Sequence, residues 1–483
     1  MKILIYNYAD YPYFLTEVIR LSKEKYKHID WSAIVLSENF TKLYEKLIGK
    51  ENTFYIHPEL NKLMKRKNID LDIFINYPDS IYKALHADKG EGKLRRMSRE
   101  YQIRYASNIY LIYKKILSKI KPDFIFFSII ESPDGVILYN LCRECNIEPI
   151  VYVWARNFGV SFFTSSINEK LPNFIKFIKP DNQIKEKAVE FIENFRKSFI
   201  PPNYFSSEPE EIINLNTPNL FNKAFKYFIR VLTRKEIHNI SDKGFLGKVM
   251  TNYQPLTRRL RKIKDILINR RYFDIKDFSQ IPENFIYFPL QVTPESSVNT
   301  LSPYFVDQTR AIDLILENMP SKFYLLVKEH PAMAGIREFS FYKKLRKKAG
   351  VLIADYRLHN FELIKKAICT ISVTGTACLE AFLLGRPSIH LGETFFSDWI
   401  YKFDSFYNFK DVVYEAINKK EIDFEKIVDL TSKIFSIGYD FVLFSPGDPG
   451  LNPYWVMNKK NVENFLDALL DYTEKVKLFK EKS

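Results

Sequence analysis

The segment Leu325-Leu326-Val327-Lys328-Glu329-His330-Pro331 places a cation, a carboxylate and an imidazole at the end of an apolar run. If that run is a strand of an open parallel sheet, these groups stand beyond its carboxyl end, where ligands bind in such folds. Pro331 ends the strand and fixes the turn, so His330 is aimed rather than loosely tethered. A capping histidine beside a solvated lysine is the plainer alternative. A second run, from Ile371 to Ala381, reads strand, tight turn, helix, with Thr374, Gly375 and Thr376 at the turn. Backbone N–H groups at a helix start, helped by two hydroxyls, form an anion site, and Gly375 permits close approach of a phosphate. Glu380 falls one helical turn after Thr376 on the same face, placed to accept hydrogen bonds from ribose hydroxyls. An N-cap followed by a surface glutamate is the alternative. The spacing is neither that of a Walker loop nor that of a dinucleotide fingerprint, so it suits a mononucleotide-type phosphate.

Two further clusters stand at predicted strand ends. In Phe288–Val298, Gln291 and Glu295 follow a strand, with Pro294 shaping the loop; ordinary loop chemistry is the alternative. In the N-terminal half, Glu131, Ser132 and Asp134 lie between a buried strand and a helix that Pro133 is suited to open. A carboxylate there, facing a cleft between two domains, would remove a proton from a sugar hydroxyl. Acids in a first helical turn also simply favour the helix dipole. Other signals are set aside. Cys142 and Cys145 form a CxxC without a second pair or a histidine cluster, so no zinc site is expected. Asp70-Leu71-Asp72 is a bare DxD, and His390 reads as a satisfied core histidine.

Such positions need a scaffold that gathers strand ends. Apolar runs at 3–7, 31–38, 121–129 and 148–155 alternate with amphipathic stretches, and the pattern returns at 285–290, 323–330, 351–355, 369–375 and 387–392. Helices are predicted near 13–26, 304–318, 339–348, 360–367 and 376–384. Strand, helix, strand with short joints means parallel sheets with crossovers. The predicted fold class is therefore α/β, two Rossmann-like doubly wound domains facing a cleft. Residues 1–165 form the first and 281–450 the second; 166–280 is a basic, mainly helical insertion, and 451–483 is a C-terminal helix packing on the outside.

With 46% hydrophobic and 27% charged residues, the 483-residue chain has the balance of a folded protein, not of a disordered or fibrous one. Its net charge of +14 implies an anionic partner. Most of that surplus sits in 222–272, where Lys and Arg far outnumber the acids Glu236, Asp242 and Asp265. Phe225, Tyr227, Phe228, Ile229, Leu232 and Leu246 are interleaved with them, which suits an amphipathic face lying on anionic lipid; a solvated helical face is the alternative. No recognised DNA- or RNA-binding motif accompanies the stretch, so nucleic acid is not the expected partner. Four cysteines are too few for a disulfide framework and fit a reducing compartment. Neither a signal peptide nor an 18-residue apolar window is present. The expected location is cytoplasmic, at most peripheral on the inner face of the cytoplasmic membrane.

The order Leu290-Gln291 with Pro294-Glu295-Ser296, then Val327-Lys328-Glu329-His330-Pro331, then the run from Thr370 to Gly392 resembles the capsule polysaccharide biosynthesis family. The better-understood members of that family are bacterial 3-deoxy-manno-octulosonic acid (Kdo) transferases of the GT-B fold. The similarity is good over about 283–400, weak over 121–155, and absent over 165–280. The His-Pro pair is also similar to that of bacterial GT-B sialyltransferases, which likewise use a cytidine monophosphate (CMP) donor. The resemblance implies an N-terminal acceptor domain and a C-terminal nucleotide-sugar domain. It implies that His330 and Pro331 hold the nucleotide phosphate and cytidine. Thr374, Gly375 and Thr376 match the hydroxyl-rich phosphate motif, and Glu380 matches the glutamate expected on the ribose. Gln291 and Glu295 fall on the family's glutamine and acidic positions, while Glu131 to Gly135 is a loose match to an acidic-glycine motif.

The resulting expectation is a glycosyltransferase moving a 2-keto-3-deoxy sugar acid, Kdo or sialic-acid-like, from a CMP-linked donor to a surface glycan or lipid-linked acceptor. A CMP leaving group has no diphosphate to chelate, so no metal or other cofactor is expected. Lys328 would aid His330 in meeting the developing negative charge, and Glu131 or Asp134 would be the catalytic carboxylate. Three rivals stand against it. A polyol-phosphate transferase using CDP-glycerol would carry an Asp-Tyr-Ser-Ser-like segment where this chain has Ser-Val-Thr-Gly-Thr. A UDP-sugar 2-epimerase needs more carboxylates, and a nucleic-acid-binding protein would rest on 222–272 alone.

Overall fold

The computed structural model describes residues 1–7, 12–26, 28–65, 94, 97–197, 270–293, 295–334, 336–443 and 458–482. Asp70–Asp72, Pro294 and nearly all of the basic stretch 222–272 lie outside the described residues. Among the described residues, no helix is long and apolar enough to cross a membrane.

The first sheet is built from β1 (Lys2–Tyr6), β2 (Asp30–Val35), β3 (Thr53–Tyr55), β4 (Phe124–Phe127), β5 (Glu148–Trp154) and β6 (Ser161–Thr164). Their spatial order is β3-β2-β1-β4-β5-β6. All run parallel except β6, which pairs antiparallel with β5, Val151 opposite Thr164. The strands are buried on both sides, which is why they read as continuous apolar runs. Ile3, Ile5, Phe124 and Phe126 face one core, where α1 (Pro12–Lys25) and α2 (Glu38–Ile48) pack. Leu4, Tyr6, Ile125 and Phe127 face the other, with α3 (His57–Met64), α4 (Arg99–Ile120) and α5 (Pro133–Glu144).

After α6 (Asn182–Lys197) the second sheet follows: β7 (Phe285–Pro289), β8 (Tyr324–Lys328), β9 (Val351–Ala354), β10 (Cys369–Ser372), β11 (Ser388–His390) and β12 (Tyr401–Lys402). It is parallel throughout, in the order β12-β11-β10-β7-β8-β9. Around it lie α7 (Gln308–Asn318), α8 (Phe339–Leu345), α9 (Asn360–Lys366), α10 (Ala377–Leu383) and α11 (Phe409–Asn418). Both sheets share one strand order. Each therefore has a switch point, between β1 and β4 and between β7 and β10, at whose carboxyl end a crevice opens.

Two elements join the domains. Phe158 and Phe162, beside β5 and β6, share one core with Phe382, Phe395 and Phe396 of the second domain, closed by α6 and α12 (Phe424–Ile437). The helix α6 thus belongs to that joint: its apolar stripe Ala188, Ile192 and Phe195 is buried there, although its sequence falls in the predicted insertion. The chain then returns to the first domain. Ser161 and Tyr439 exchange backbone hydrogen bonds of 2.9 and 2.8 Å, and Ser161 Oγ donates to the Phe441 carbonyl at 2.6 Å. The last helix, α13 (Lys459–Lys482), lies on α1. Its polar residues do face outward, but Val462, Phe465, Leu466, Leu469 and Tyr472 are core residues of the first domain. An outer helix is thus also a wall of the first core, its Phe465 packed on Phe126 of β4 and Phe163 of β6.

Candidate active site

The residues singled out in the second domain do converge on its carboxyl-end crevice, but several are held by one another. Gln291, just past β7, is buried and spans to the end of β10. Its Oε1 accepts the Thr374 N–H at 3.0 Å, and its Nε2 donates to Thr374 Oγ1 at 3.1 Å. Its backbone is fixed as well, since the Gln291 N–H donates to Gln308 Oε1 at 2.8 Å and its carbonyl accepts Gln308 Nε2 at 2.9 Å. Gln291 is thus the clasp of the switch point. The Thr374 hydroxyl donates to the Ser297 carbonyl at 2.6 Å, and the Gly375 N–H donates to Ser372 Oγ at 2.8 Å. Of the expected phosphate turn, those two groups are occupied inside the protein, while Thr376 stands at the half-buried head of α10. His390 supports the turn from below: it is fully buried, with Nε2 3.2 Å from the Gly375 carbonyl and Nδ1 3.0 Å from Ser397 Oγ. Burial lowers its pKa to about 4, so it is the satisfied core histidine expected from sequence.

At the end of β8, each of the four residues has a different setting. Lys328 is buried and donates to Asn360 Oδ1 at 2.6 Å, an oxygen that also accepts the Tyr287 hydroxyl at 2.8 Å. Glu329 is buried too. It accepts Arg337 Nε at 2.6 Å, the Tyr342 hydroxyl at 2.5 Å and the His330 N–H at 2.7 Å. This carboxylate holds Arg337 and the His330 backbone in place; Arg337 in turn donates to the Gln291 carbonyl at 2.9 Å. Pro331 opens a 3₁₀ turn, Pro331–Met333, which His330 caps: Nδ1 accepts the Ala332 N–H at 3.2 Å. Burial, and then the charges of Lys328, Arg337 and Arg156, lower the His330 pKa to about 4. The ring is therefore neutral near pH 7. With Nδ1 accepting, its proton resides on Nε2, which makes it a donor.

Glu380 and Lys328 form the most consequential electrostatic pair. Burial raises the Glu380 pKa to about 7, against the Thr376 hydroxyl bonded to it and the Lys328 charge. Burial lowers the Lys328 pKa to about 8, against Asp355, Glu329 and Glu380. Between the ordinary value of 4.5 and about 7, folded Glu380 holds a proton that the unfolded chain has lost. Stability therefore falls as pH rises through that window. For Lys328, the unfolded chain holds the extra proton between about 8 and 10.5, so stability recovers as pH rises there. Glu380→Gln is expected to remove the falling limb. Urea unfolding of the unliganded variant should match wild type near pH 4.5 and exceed it at pH 7.5; equal differences at both pH values would refute this.

On the first-domain side, Asp134 is buried at the start of α5 and accepts the Tyr6 hydroxyl at 2.8 Å. The Tyr113 hydroxyl lies 3.5 Å away. Ser132 caps the helix, its Oγ accepting the Gly135 N–H at 3.2 Å. Asp134 is thus engaged by tyrosines under the loop. Glu131 belongs to the loop itself, beside Ile130, whose carbonyl accepts Thr300 Oγ1 from the second domain at 3.1 Å. Along this seam Ser128 Oγ, Ser297 Oγ and both amide atoms of Asn299 are buried without a hydrogen-bond partner. Such orphaned groups mark a place where a polar ligand or water completes the bonding.

Sequence reading missed the second first-domain segment at the cleft. Arg156 heads a 3₁₀ turn after β5, and Glu169 follows β6. The Arg156 charge acts on both His330 and Glu169, and Glu169 faces Glu295. Asn168 Nδ2 donates to Glu393 at 2.9 Å, and Lys170 pairs with the same carboxylate at 2.8 Å. The signal was faint because β6 is a short antiparallel edge strand. Cys142 is buried and Cys145 exposed, both free thiols.

Residues 238–403 match the family described as "capsule polysaccharide biosynthesis protein", a span that contains every second-domain site residue named above. The two six-stranded sheets with their surrounding helices form a two-domain α/β fold. No curated protein matches the chain. Solved structures similar to it include the UDP-GlcNAc 2-epimerase of Methanocaldococcus jannaschii, with 14% identity, 90% of this chain and 98% of that chain covered, and a TM-score of 0.25. The KpsC β-Kdo 2,7 transferase of Thermosulfurimonas dismutans is 12% identical over 78% of this chain and 90% of that chain, with a TM-score of 0.35. The β-Kdo 2,4 transferase of the same KpsC is 10% identical over 65% and 79%, with a TM-score of 0.35.

Proposed function

We propose that this capsule-family chain is a glycosyltransferase that moves a Kdo-like or sialic-acid-like 2-keto sugar acid from a CMP-linked donor to a glycan or lipid-linked acceptor. The observation that carries this reading is the neutral His330, fixed by Ala332 as a donor at the crevice where Gln291 clasps Thr374. A neutral donor binds a phosphate monoester without having to shed or acquire a proton between pH 5 and 8. The Thr376 head of α10 adds the positive end of a peptide dipole. As the bond between the anomeric carbon and the phosphate oxygen breaks, charge grows on the phosphate, and these groups meet it. The acceptor hydroxyl attacks the anomeric carbon and gives up its proton to a carboxylate. We assign that role to Glu131, since Asp134 is engaged by Tyr6 beneath the loop. Glu380, close to Thr376, would receive ribose hydroxyls.

The test is a thermal-shift comparison of CMP, CDP-glycerol and UDP on the full chain. CMP at about 100 times its Kd is expected to add roughly 2.7 kcal/mol of stability, with CDP-glycerol and UDP giving clearly less. A preference for UDP would favour an epimerase-type site, and a preference for CDP-glycerol a polyol-phosphate transferase; either refutes the CMP-sugar reading.

A further inference from the structure

The loop that carries His330 is closed on itself by a buried ion pair. Glu329 stands immediately before His330, and Arg337 lies just before α8, so the bond between them shuts the base of the loop. Arg337 Nε donates to Glu329 Oε2 at 2.6 Å, and the two side chains are 11% and 0% exposed. The other carboxylate oxygen, Oε1, accepts the His330 N–H at 2.7 Å. Within the loop, the Met333 N–H donates to the His330 carbonyl at 2.9 Å, and the Met333 carbonyl accepts the Ile336 and Arg337 N–H groups at 2.9 and 3.3 Å. One carboxylate thus grips the loop at both ends.

The far side of the same guanidinium reaches out of the loop. Arg337 Nη2 donates to the Gln291 carbonyl, beyond the end of β7, at 2.9 Å. Gln291 does not depend on that bond: its N–H and carbonyl are both held by Gln308, and its amide by Thr374. The Gln291 carbonyl is therefore a fixed anchor, and Arg337 carries its position across to Glu329 and so to His330. Phe341 lies under the guanidinium, 4.8 Å from ring centroid to Cζ. Buried ion pairs add little net stability, because desolvation offsets the attraction, and a well-packed apolar pair often holds a fold as well. An apolar pair would not tie a β7 end and a β8 end together in one geometry. A planar guanidinium fork does.

We infer that Arg337 is a positioning residue of the donor site: it sets the His330 ring against the Thr374 turn and acts on the ligand through that histidine. This rests on the reading in which His330 serves the nucleotide phosphate, and adds to it the group that fixes where the imidazole stands.

Calorimetric CMP binding to the full chain tests it, with Arg337→Met, His330→Ala and the two combined. CMP carries the full charge of the departing phosphate, so its affinity reports the bond that His330 makes to that charge. Arg337→Met is expected to raise the CMP Kd about 10-fold, the loss of one well-aligned hydrogen bond to a charged group. His330→Ala should cost at least as much, and the combined variant should stay within about twofold of His330→Ala alone, since the two act as one unit. Arg337→Met leaves a buried carboxylate without its cation, so Glu329→Gln/Arg337→Met is made as well; it keeps an oxygen for the His330 N–H. Its urea midpoint should return toward wild type while CMP binding stays weak. A CMP Kd within about twofold of wild type in Arg337→Met overturns the inference. So do losses that multiply in the combined variant, which would put Arg337 on the ligand itself, and so does CMP affinity that recovers together with the urea midpoint, which would make the pair structural only. Wild-type protein that binds UDP but not CMP would instead show the donor reading to be at fault, and the same variants read with UDP would still decide the role of Arg337.

Discussion

His330→Ala is expected to lower transfer from a CMP-sugar by at least about 100-fold, the loss typical of removing one preorganised donor from a developing oxyanion. The chain itself should remain folded. His330 is half-buried, and its ring caps a single 3₁₀ turn by accepting the Ala332 N–H. The loss should appear in kcat more than in KM, because the hydrogen bond strengthens as phosphate charge grows. The pH profile supplies a second check. With a pKa lowered to about 4 by burial and nearby cations, the ring does not change charge between pH 5.5 and 8. Wild-type activity in that interval should therefore lack a limb that disappears in the variant. Turnover close to wild type, or a His330-dependent ionisation near pH 6.5, would remove the histidine from the proposed role.

Phe465→Ala is expected to be the most damaging core substitution outside the crevice, costing about 3–5 kcal/mol. Phe465 is buried on α13, and four aromatic rings surround it. Its centroid lies 5.4 Å from Phe14, 5.5 Å from Phe126, 5.5 Å from Phe163 and 5.3 Å from Phe441, all edge-on. These partners come from α1, β4, β6 and the returning chain, so the cavity would open where four segments meet and could not collapse around one of them. Urea unfolding should show a first transition moved to lower denaturant while the second-domain transition stays in place. A single unshifted transition would mean that α13 is dispensable for the first core. Leu478, exposed on the same helix, is the control; its alanine variant should change stability by less than about 0.5 kcal/mol.

Much of this architecture was legible from residue types. The runs at 285–290, 323–330, 351–355 and 369–375 became β7 to β10 almost residue for residue, because parallel strands buried on both faces leave an unbroken apolar signature. Short elements were not legible. β3, β6 and β12 have only two to four residues, and edge strands that short carry no period. The site was legible as a set of strand ends but not as a division of labour. Sequence treats Gln291, Lys328, Thr374 and Glu380 alike as candidate ligand groups. Only the geometry shows Gln291 and the Thr374 hydroxyl bonded to each other, and Glu329 holding Arg337. Asp134 and Glu131 are likewise equivalent in sequence, and the difference between them lies in two tyrosines, Tyr6 and Tyr113, far away along the chain.

The return of the chain to the first domain also orders events during synthesis. Domains usually fold as they leave the ribosome, N-terminal part first. Here one face of the first sheet, from Ile3 to Phe163, has only α1 and α2 on it until Phe441 and α13 have been made. Throughout translation of the second domain, that apolar face lacks part of its cover. The domain that is made first is completed last, and a chain terminated after the second domain lacks part of the first domain's core.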